Sequence, residues 1–465
     1  MLLNAILIYL VVTLAIGAWS ARLVKNSNDF VLAGRSLPLF LSASALFATW
    51  FGSETIFGAS SVYLEEGLIG VIEDPFGGAL CLILFGLFYL RPMYRMNVLT
   101  IGDVFKKIFG ERLSFFASIF MIPAYFGYVA AQLIALSLVL GAVTDLSLME
   151  GVVISACIVV FYTFLGGMWA ISITDFMQTT LIVIGLLAVA YLVASEAGGI
   201  GVIIEKAPPE SFQFFPEPNF AAWISYFGAW IILGLGSIPS QDIYQRVMSS
   251  KSEKVAVQST YLAGIFYLTF GLLPLFIALG AKILYPELYL ADKQMLLPAM
   301  VLQHSNLPIQ VLFFGALISA IMSTTSSGLL APAAIISENL IRPYFGKNLK
   351  DRHFLWILRA NVVLVAGIAL LMASWKSDIY ELVAGASILM LVSLFVPLTA
   401  GLYWKKASPG GAFLALFVGT GAYLAAEMLV PNQETHLIGL FASALAMGVG
   451  SYIFPTKTLT PDELS

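Results

Sequence analysis

Runs of about 20 apolar residues recur along almost the whole chain, and each is long enough to cross a bilayer as a helix. Thirteen such stretches can be counted, roughly at 2–22, 38–63, 70–94, 115–142, 149–166, 172–195, 222–247, 258–281, 308–340, 355–375, 379–403, 408–430 and 434–455. Hydrophobic residues make up 60% of the sequence and charged ones only 11%, against about 25% charged in a soluble domain. The expected fold is an all-α integral membrane protein of about 13 transmembrane helices. The 308–340 stretch exceeds one perpendicular span, so its end should project into the cytoplasm. No basic segment precedes the first span, which reads as a retained anchor and not a cleaved leader, despite the small-residue sequence Trp19–Ala21.

The charges set the orientation. With the N-terminus outside, nineteen of the 23 basic residues fall in inner loops, the bias expected of cytoplasmic segments. Arg91, Arg95, Lys106, Lys107 and Arg112 form one such group; Lys405, Lys406 and Lys457 lie near the C-terminus. Only Lys206, Lys282, Lys293 and Lys376 fall outside, beside acidic residues such as Glu65, Glu66, Asp145 and Glu150. The odd span count then leaves the C-terminus inside. A multi-pass protein of a plasma membrane (a bacterial inner membrane) is expected.

Several chemistries are disfavoured. Cys81 and Cys157 lie inside apolar spans and suggest neither a disulfide framework nor a metal site. His304, His353 and His436 are scattered. There is no P-loop, no TVGYG-like filter and no stretch long enough for a soluble domain. The basic residues are too dispersed for nucleic acid. The expected partners are a small organic solute, sodium and the lipid bilayer, without nucleic acid or an obligate protein partner.

Against this background the stretch Phe47–Ser61, FATWFGSETIFGASS, stands out. Glu54 is costly at membrane depth and should face a cavity, a partner or the protein interior. Gly52 and Gly58 flank it, so the helix can break and free carbonyl oxygens for a cation. A kinked structural helix with a buried, hydrogen-bonded Glu54 is the plainer alternative.

The span order suggests symmetry. Setting the first span aside, 38–195 and 222–403 each hold five spans, so the second set runs with inverted topology: a 5+5 inverted repeat. The chain divides into an extra N-terminal helix and loop (1–37), the first repeat (38–195), an external loop (196–221), the second repeat (222–403), and two further helices with a tail (404–465). The first helix of the second set carries its own interruption, Gly234 to Asp242. Paired interruptions point to a transporter binding site.

Three further polar clusters lie in apolar surroundings. Ser323 to Ser327 are five consecutive hydroxyl residues. They can serve a hard cation, or pack as small residues and bond back to their own helix. Asp175, with Thr174 and Gln178, can cap a helix N-terminus or supply negative charge to a cation. Gln241, Asp242, Gln245 and Arg246 follow the second interruption, where Asp242 and Arg246 have the spacing to pair on one helix face. Trp50, Phe51, Tyr125, Tyr128, Gln132 and Trp230 are candidates to line a cavity between these elements, and an aromatic lining favours an organic solute.

The pieces FVLAGRSLPLF, ATWFGSETIFG, IGDVFKKIFGER, FYTFLGGMWAISITDFMQ, GSIPSQDIYQRVMSS and SAIMSTTSSGLLAPAAIISENLI together resemble the sodium/solute symporter family over essentially the whole chain. In its motifs the sequence is most similar to the high-affinity choline transporter branch. The resemblance implies a LeuT-like fold and Na+ as coupling ion, one or two per cycle. It implies a first sodium site made by the carbonyls of Ala48, Phe51 and Ala320 with the hydroxyls of Ser323 and Thr324. A second sodium site is implied at Asp175, Ser323, Ser326 and Ser327. Substrate contacts are expected from Trp50, Gly52, Glu54, Tyr125, Tyr128, Gln132, Ser240 and Gln241. Trp50 matches an aromatic position of the choline carriers, whereas Ser240 stands where that branch has a second Trp. Glu54 is similar to a Glu in several sugar and sialic-acid relatives.

The function expected from these readings is not enzymatic. It is sodium-coupled import of a small organic solute by alternating access, with choline or a related quaternary amine as the first solute. The alternatives are sodium symport of another solute (proline or another amino acid, a monocarboxylate, pantothenate, a sugar or sialic acid) and a passive channel or facilitator.

Overall fold

The structure is a computed structural model that describes residues 1–144, 146–346, 349–375, 379–430 and 434–455. Asp145, Lys347, Lys376 and Lys457, which entered the charge reading, lie outside the described residues. Among the described residues the regular elements are helices, apart from one isolated bridge between Leu37 and Ser250.

Ten helical runs are long and apolar enough to cross a membrane, or eleven when the pair Phe220–Gly236 and Gln241–Met248, bent by 49°, is taken as one. Some runs are too long for a single crossing. Leu148–Glu196 has 49 residues, about 74 Å of helix at 1.5 Å per residue, against a hydrocarbon core of about 30 Å. Gly167 interrupts it at φ 50, ψ −139, a backbone region that favours glycine. The sequence spans 149–166 and 172–195 fall on either side of that residue. The run Glu54–Met96 is likewise broken, by Gly67 at φ 73. The segment 282–307, between two of the apolar stretches, contains the short helices Pro286–Ala291 and Leu296–His304.

At the centre lies the helix Leu307–Ile335, here the serine helix. Every residue from Phe313 to Ile335 is buried, the pattern of a helix enclosed on all sides. It packs against Leu148–Glu196 and Glu111–Val143. Small residues permit the close approach: a methyl group on Gly185 would come 2.7 Å from both the Leu312 carbonyl and the Ala316 side chain. The first broken helix, Leu39–Trp50, packs against Glu253–Leu284 and Leu148–Glu196.

The outer helices present apolar side chains outward. Only 22% of the most apolar window of Leu2–Leu23 is buried, against 72% for Glu111–Val143. Leu7, Ile8, Val11, Tyr191 and Phe441 are among the exposed large residues. So much apolar surface is tolerated in lipid and not in water. The protein is a multi-pass integral membrane protein.

Candidate functional site

The break predicted around Glu54 is present. Leu39–Trp50 ends at Phe51 (φ −78, ψ 76), and the chain resumes as a π turn over Glu54–Gly58 before the helix Ala59–Glu66. Ending a helix at membrane depth strands its last carbonyls. Three of them are met by hydroxyls from three other helices. The Ala48 oxygen accepts from Thr324 Oγ1 at 3.2 Å, the Thr49 oxygen from Tyr128 at 3.0 Å, and the Trp50 oxygen from Tyr267 at 3.0 Å. The start of the second half is held by Gln132, which accepts from the Ser53 N–H at 3.0 Å and donates to Glu54 Oε2 at 2.7 Å. Gly52 sits where a side chain has no room. A Cβ there would lie 2.7 Å from Thr324 Oγ1 and 2.8 Å from both Gln132 Oε1 and Glu54 Oε2.

The five hydroxyls of the serine helix divide into two kinds. Thr324, Thr325, Ser326 and Ser327 donate to carbonyls about one turn back, at Ala320, Ile321, Ser323 and Ser323 respectively. This back-bonding, which at Thr324 competes with the Ala48 carbonyl for one proton, leaves oxygen lone pairs. Ser323 instead donates to Asp175 Oδ1 at 2.6 Å. Ala48, Ala320 and Thr324 of the first expected sodium set are therefore joined directly, and the Ser323 hydroxyl is turned toward Asp175.

Asp175 lies eight residues past the Gly167 break, fully buried. Its partner is the Ser323 hydroxyl and not a main-chain N–H, so its carboxylate faces the serine helix instead of capping its own. Asp175 Oδ2 is buried without a hydrogen-bond partner, as is Gln178 Oε1. Such orphaned oxygens suit a cation. Arg246 is buried beside them: its Nη2 donates to Ser327 and its Nη1 to the Asp242 main-chain oxygen at 3.3 Å. The spacing that suggested an Asp242–Arg246 carboxylate pair produces this main-chain contact instead.

The Asp242 carboxylate turns the other way. It accepts from Trp50 Nε1 and from the Tyr125 hydroxyl, each at 2.9 Å. The Tyr125 oxygen also accepts from the N–H groups of Gln241 (2.7 Å) and Asp242 (3.2 Å), so a side chain from Glu111–Val143 caps the helix that follows the second interruption.

Between these elements lies a cavity. Of the expected substrate residues, Trp50, Glu54, Tyr125, Tyr128 and Ser240 line it. Gly52 and Gln132 lie behind the lining, at the break. The Gln241 side chain points elsewhere, accepting from the Ile101 N–H at 2.8 Å. Trp230 packs in an aromatic group with Phe76, Phe214 and Tyr226. Sequence reasoning missed Asp74 and Tyr267 as lining residues and read Asp242 only as a candidate partner for Arg246 on one helix face.

The sodium:solute symporter family matches residues 30–419. The sequence is 31% identical over 423 residues to high-affinity choline transporter 1 of Drosophila melanogaster, covering 87% of this chain and 67% of that one. It is 28% identical to high affinity choline transporter 1 of Homo sapiens, over 88% of this chain and 74% of the relative. It is 26% identical to the osmoregulated proline transporter OpuE of Bacillus subtilis, over 90% and 87% respectively. A substrate-bound, outward-open sodium-coupled sialic acid symporter superposes with a TM-score of 0.86 at 17% identity, covering 98% of each chain. Mhp1, a nucleobase-cation symporter, superposes with a TM-score of 0.63 at 16% identity, over 93% of this chain and 96% of that one.

Proposed function

The chain belongs to the sodium:solute symporter family, and on that premise we propose that it imports choline or a related quaternary amine with sodium across a bacterial inner membrane. Sodium-coupled symport of a small organic solute follows from family membership, and catalysis of a covalent reaction does not. The relatives named as choline transporters support the choice of solute. So does the aromatic lining from Trp50, Tyr125 and Tyr128, because the faces of such rings attract an ammonium group.

Thirteen spans in a 5+5 inverted repeat remain our reading of the topology, with the N-terminus outside and the C-terminus inside. The divisions proposed are 1–37, 38–195, 196–221, 222–403 and 404–465. In support, Gly167 and Gly67 interrupt the two longest helical runs, and each proposed half begins with a broken helix, Leu39–Trp50 before Glu54–Gly58 and Phe220–Gly236 before Gln241–Met248.

One observation carries the mechanism: Thr324 Oγ1 lies 3.2 Å from the Ala48 carbonyl. It joins the serine helix to the end of the broken helix, and that helix supplies Trp50 to the cavity. A sodium ion held by the oxygens of Ala48, Phe51, Ala320, Ser323 and Thr324 would replace a direct hydrogen bond with a cationic bridge. The bridge stabilises the arrangement in which the cavity is assembled, and the solute then binds more tightly. Rocking of one helix bundle against the other releases both to the far side. Asp175, Ser323, Ser326 and Ser327 form the proposed second sodium site, with the orphaned Asp175 Oδ2 as its open ligand. The reading is tested by choline uptake into proteoliposomes with an inward sodium gradient or with potassium in its place. Uptake at full rate in potassium would leave a passive facilitator as the better description.

A further inference from the structure

Asp74 enters the cavity at a place where the backbone is not helical. Its φ of −140 and ψ of 122 interrupt the segment Ile72–Gly77 within an otherwise helical run. Extended backbone at this depth is tolerated where it borders a cavity. The side chain is held by two hydroxyls: Tyr267 donates to Oδ1 at 2.7 Å and Thr55 to Oδ2 at 2.8 Å, with 2.9 Å between those hydroxyls. Tyr267 and Thr55 fix the carboxylate but add no positive charge. Asp242 also accepts from two donors, Trp50 and Tyr125, but the Arg246 guanidinium lies one helical turn away and offsets its charge. Glu54 differs too, being tied through Gln132 to the break beside Thr324.

A count of donors and acceptors gives the cavity its preference. Its aromatic donors are already committed within the protein: Trp50 and Tyr125 to Asp242, Tyr128 to the Thr49 carbonyl, Tyr267 to Asp74 or the Trp50 carbonyl. Ser237 and Ser387 bond to each other at 3.2 Å. Three carboxylates remain on the lining, and among the described residues no Lys, Arg or His joins them. Ser240, only 4% exposed and also on the lining, has no partner for its hydroxyl. The unfilled capacity is thus mostly that of an acceptor, which favours a hydrogen-bond donor or a cation.

We propose that Asp74, presented by Thr55 and Tyr267, is the charge-reading group of the cavity, and that the transported solute is a small organic monocation with no carboxylate of its own. The inference rests on the cavity being the solute site of the symporter. It assigns specificity to a residue outside both sodium sites. A zwitterion such as betaine or proline would bring its anionic end among three carboxylates, and a neutral sugar would leave Asp74 with a buried charge uncompensated.

The test is thermal stabilisation of the purified transporter, in sodium and in potassium, by choline, ethanolamine, betaine, proline and glucose. Choline and ethanolamine should stabilise the wild type in sodium, while betaine, proline and glucose should not. Asp74→Asn should weaken both cations about tenfold or more, and Asp74→Glu should recover part of that loss. Sodium alone should still stabilise Asp74→Asn relative to potassium, which shows that the variant folds and keeps its ion response. Betaine, proline or glucose acting as well as choline would overturn the proposal. So would unchanged cation affinity in Asp74→Asn, or no stabilisation by either cation. Equal stabilisation by choline in sodium and potassium would instead count against sodium coupling, leaving Asp74 to be judged by its own variant.

Discussion

Thr324 Oγ1 stands 3.2 Å from the carbonyl of Ala48 and 3.1 Å from that of Ala320. One hydroxyl thus spans the end of the broken helix and the turn behind it on the serine helix. The Thr324 proton can satisfy only one of these carbonyls at a time, so at least one oxygen here is left with capacity for a cation.

Thr324→Ala should therefore weaken sodium activation. The sodium concentration giving half-maximal uptake is expected to rise about tenfold, with protein yield close to wild type because Ala suits a helix interior. The check is a sodium titration of choline uptake. An unchanged titration in both Thr324→Ala and Ser323→Ala would remove the first site from this position.

Gly52→Ala tests the break by crowding it. The new methyl would meet Thr324 Oγ1, Gln132 Oε1 and Glu54 Oε2 at 2.7 to 2.8 Å. Forcing these polar groups apart should cost about 1–3 kcal/mol and blunt the sodium response along with the thermal midpoint. A thermal scan in sodium and in potassium reads both effects, and a variant with wild-type values in both salts would contradict the packing described.

Asp175→Asn addresses the number of ions. Asp175 Oδ2 has no hydrogen-bond partner, so it offers an open ligand position to a second sodium. The variant should carry fewer sodium ions per solute, measured from the sodium and voltage gradients that just stop net flux in proteoliposomes. An unchanged stoichiometry would assign Asp175 to holding Ser323 alone.

Tyr125→Phe removes one oxygen that serves three groups: the Asp242 carboxylate and the N–H groups of Gln241 and Asp242. Stranding them in the core should cost about 1–3 kcal/mol. Solute affinity should fall as well, because the same bond positions Asp242 on the cavity wall. Binding at wild-type affinity with an unchanged midpoint would contradict that role.

The meeting of the broken helix and the serine helix was legible in the sequence because its signals are anomalies of type. A Glu between glycines and five hydroxyl residues in a row do not belong in lipid, and the structure brings the Ala48 carbonyl and Thr324 together. The solute side was less legible. Asp74 follows Glu73 near the start of an apolar stretch, where acidic residues commonly mark a loop, and Tyr267 is one aromatic among many in Glu253–Leu284. Only the extended backbone at Asp74 and the hydroxyl of Tyr267 acting on it reveal the pairing. Gln241 shows the converse: it stands next to a cavity residue in sequence, yet it lies in a helix whose turn directs its side chain to the Ile101 N–H. Spacing indicated that Asp242 and Arg246 were one turn apart, but not that Trp50 and Tyr125 would claim the carboxylate.

The most direct measurement is choline accumulation in proteoliposomes carrying either the wild type or Thr324→Ala, with sodium or potassium outside. The account predicts that the wild type concentrates choline above its external level only under an inward sodium gradient. It also predicts that Thr324→Ala loses that accumulation at moderate sodium and regains part of it at high sodium. Equal accumulation in potassium, or a Thr324→Ala variant that concentrates choline at the same sodium level as the wild type, would contradict it.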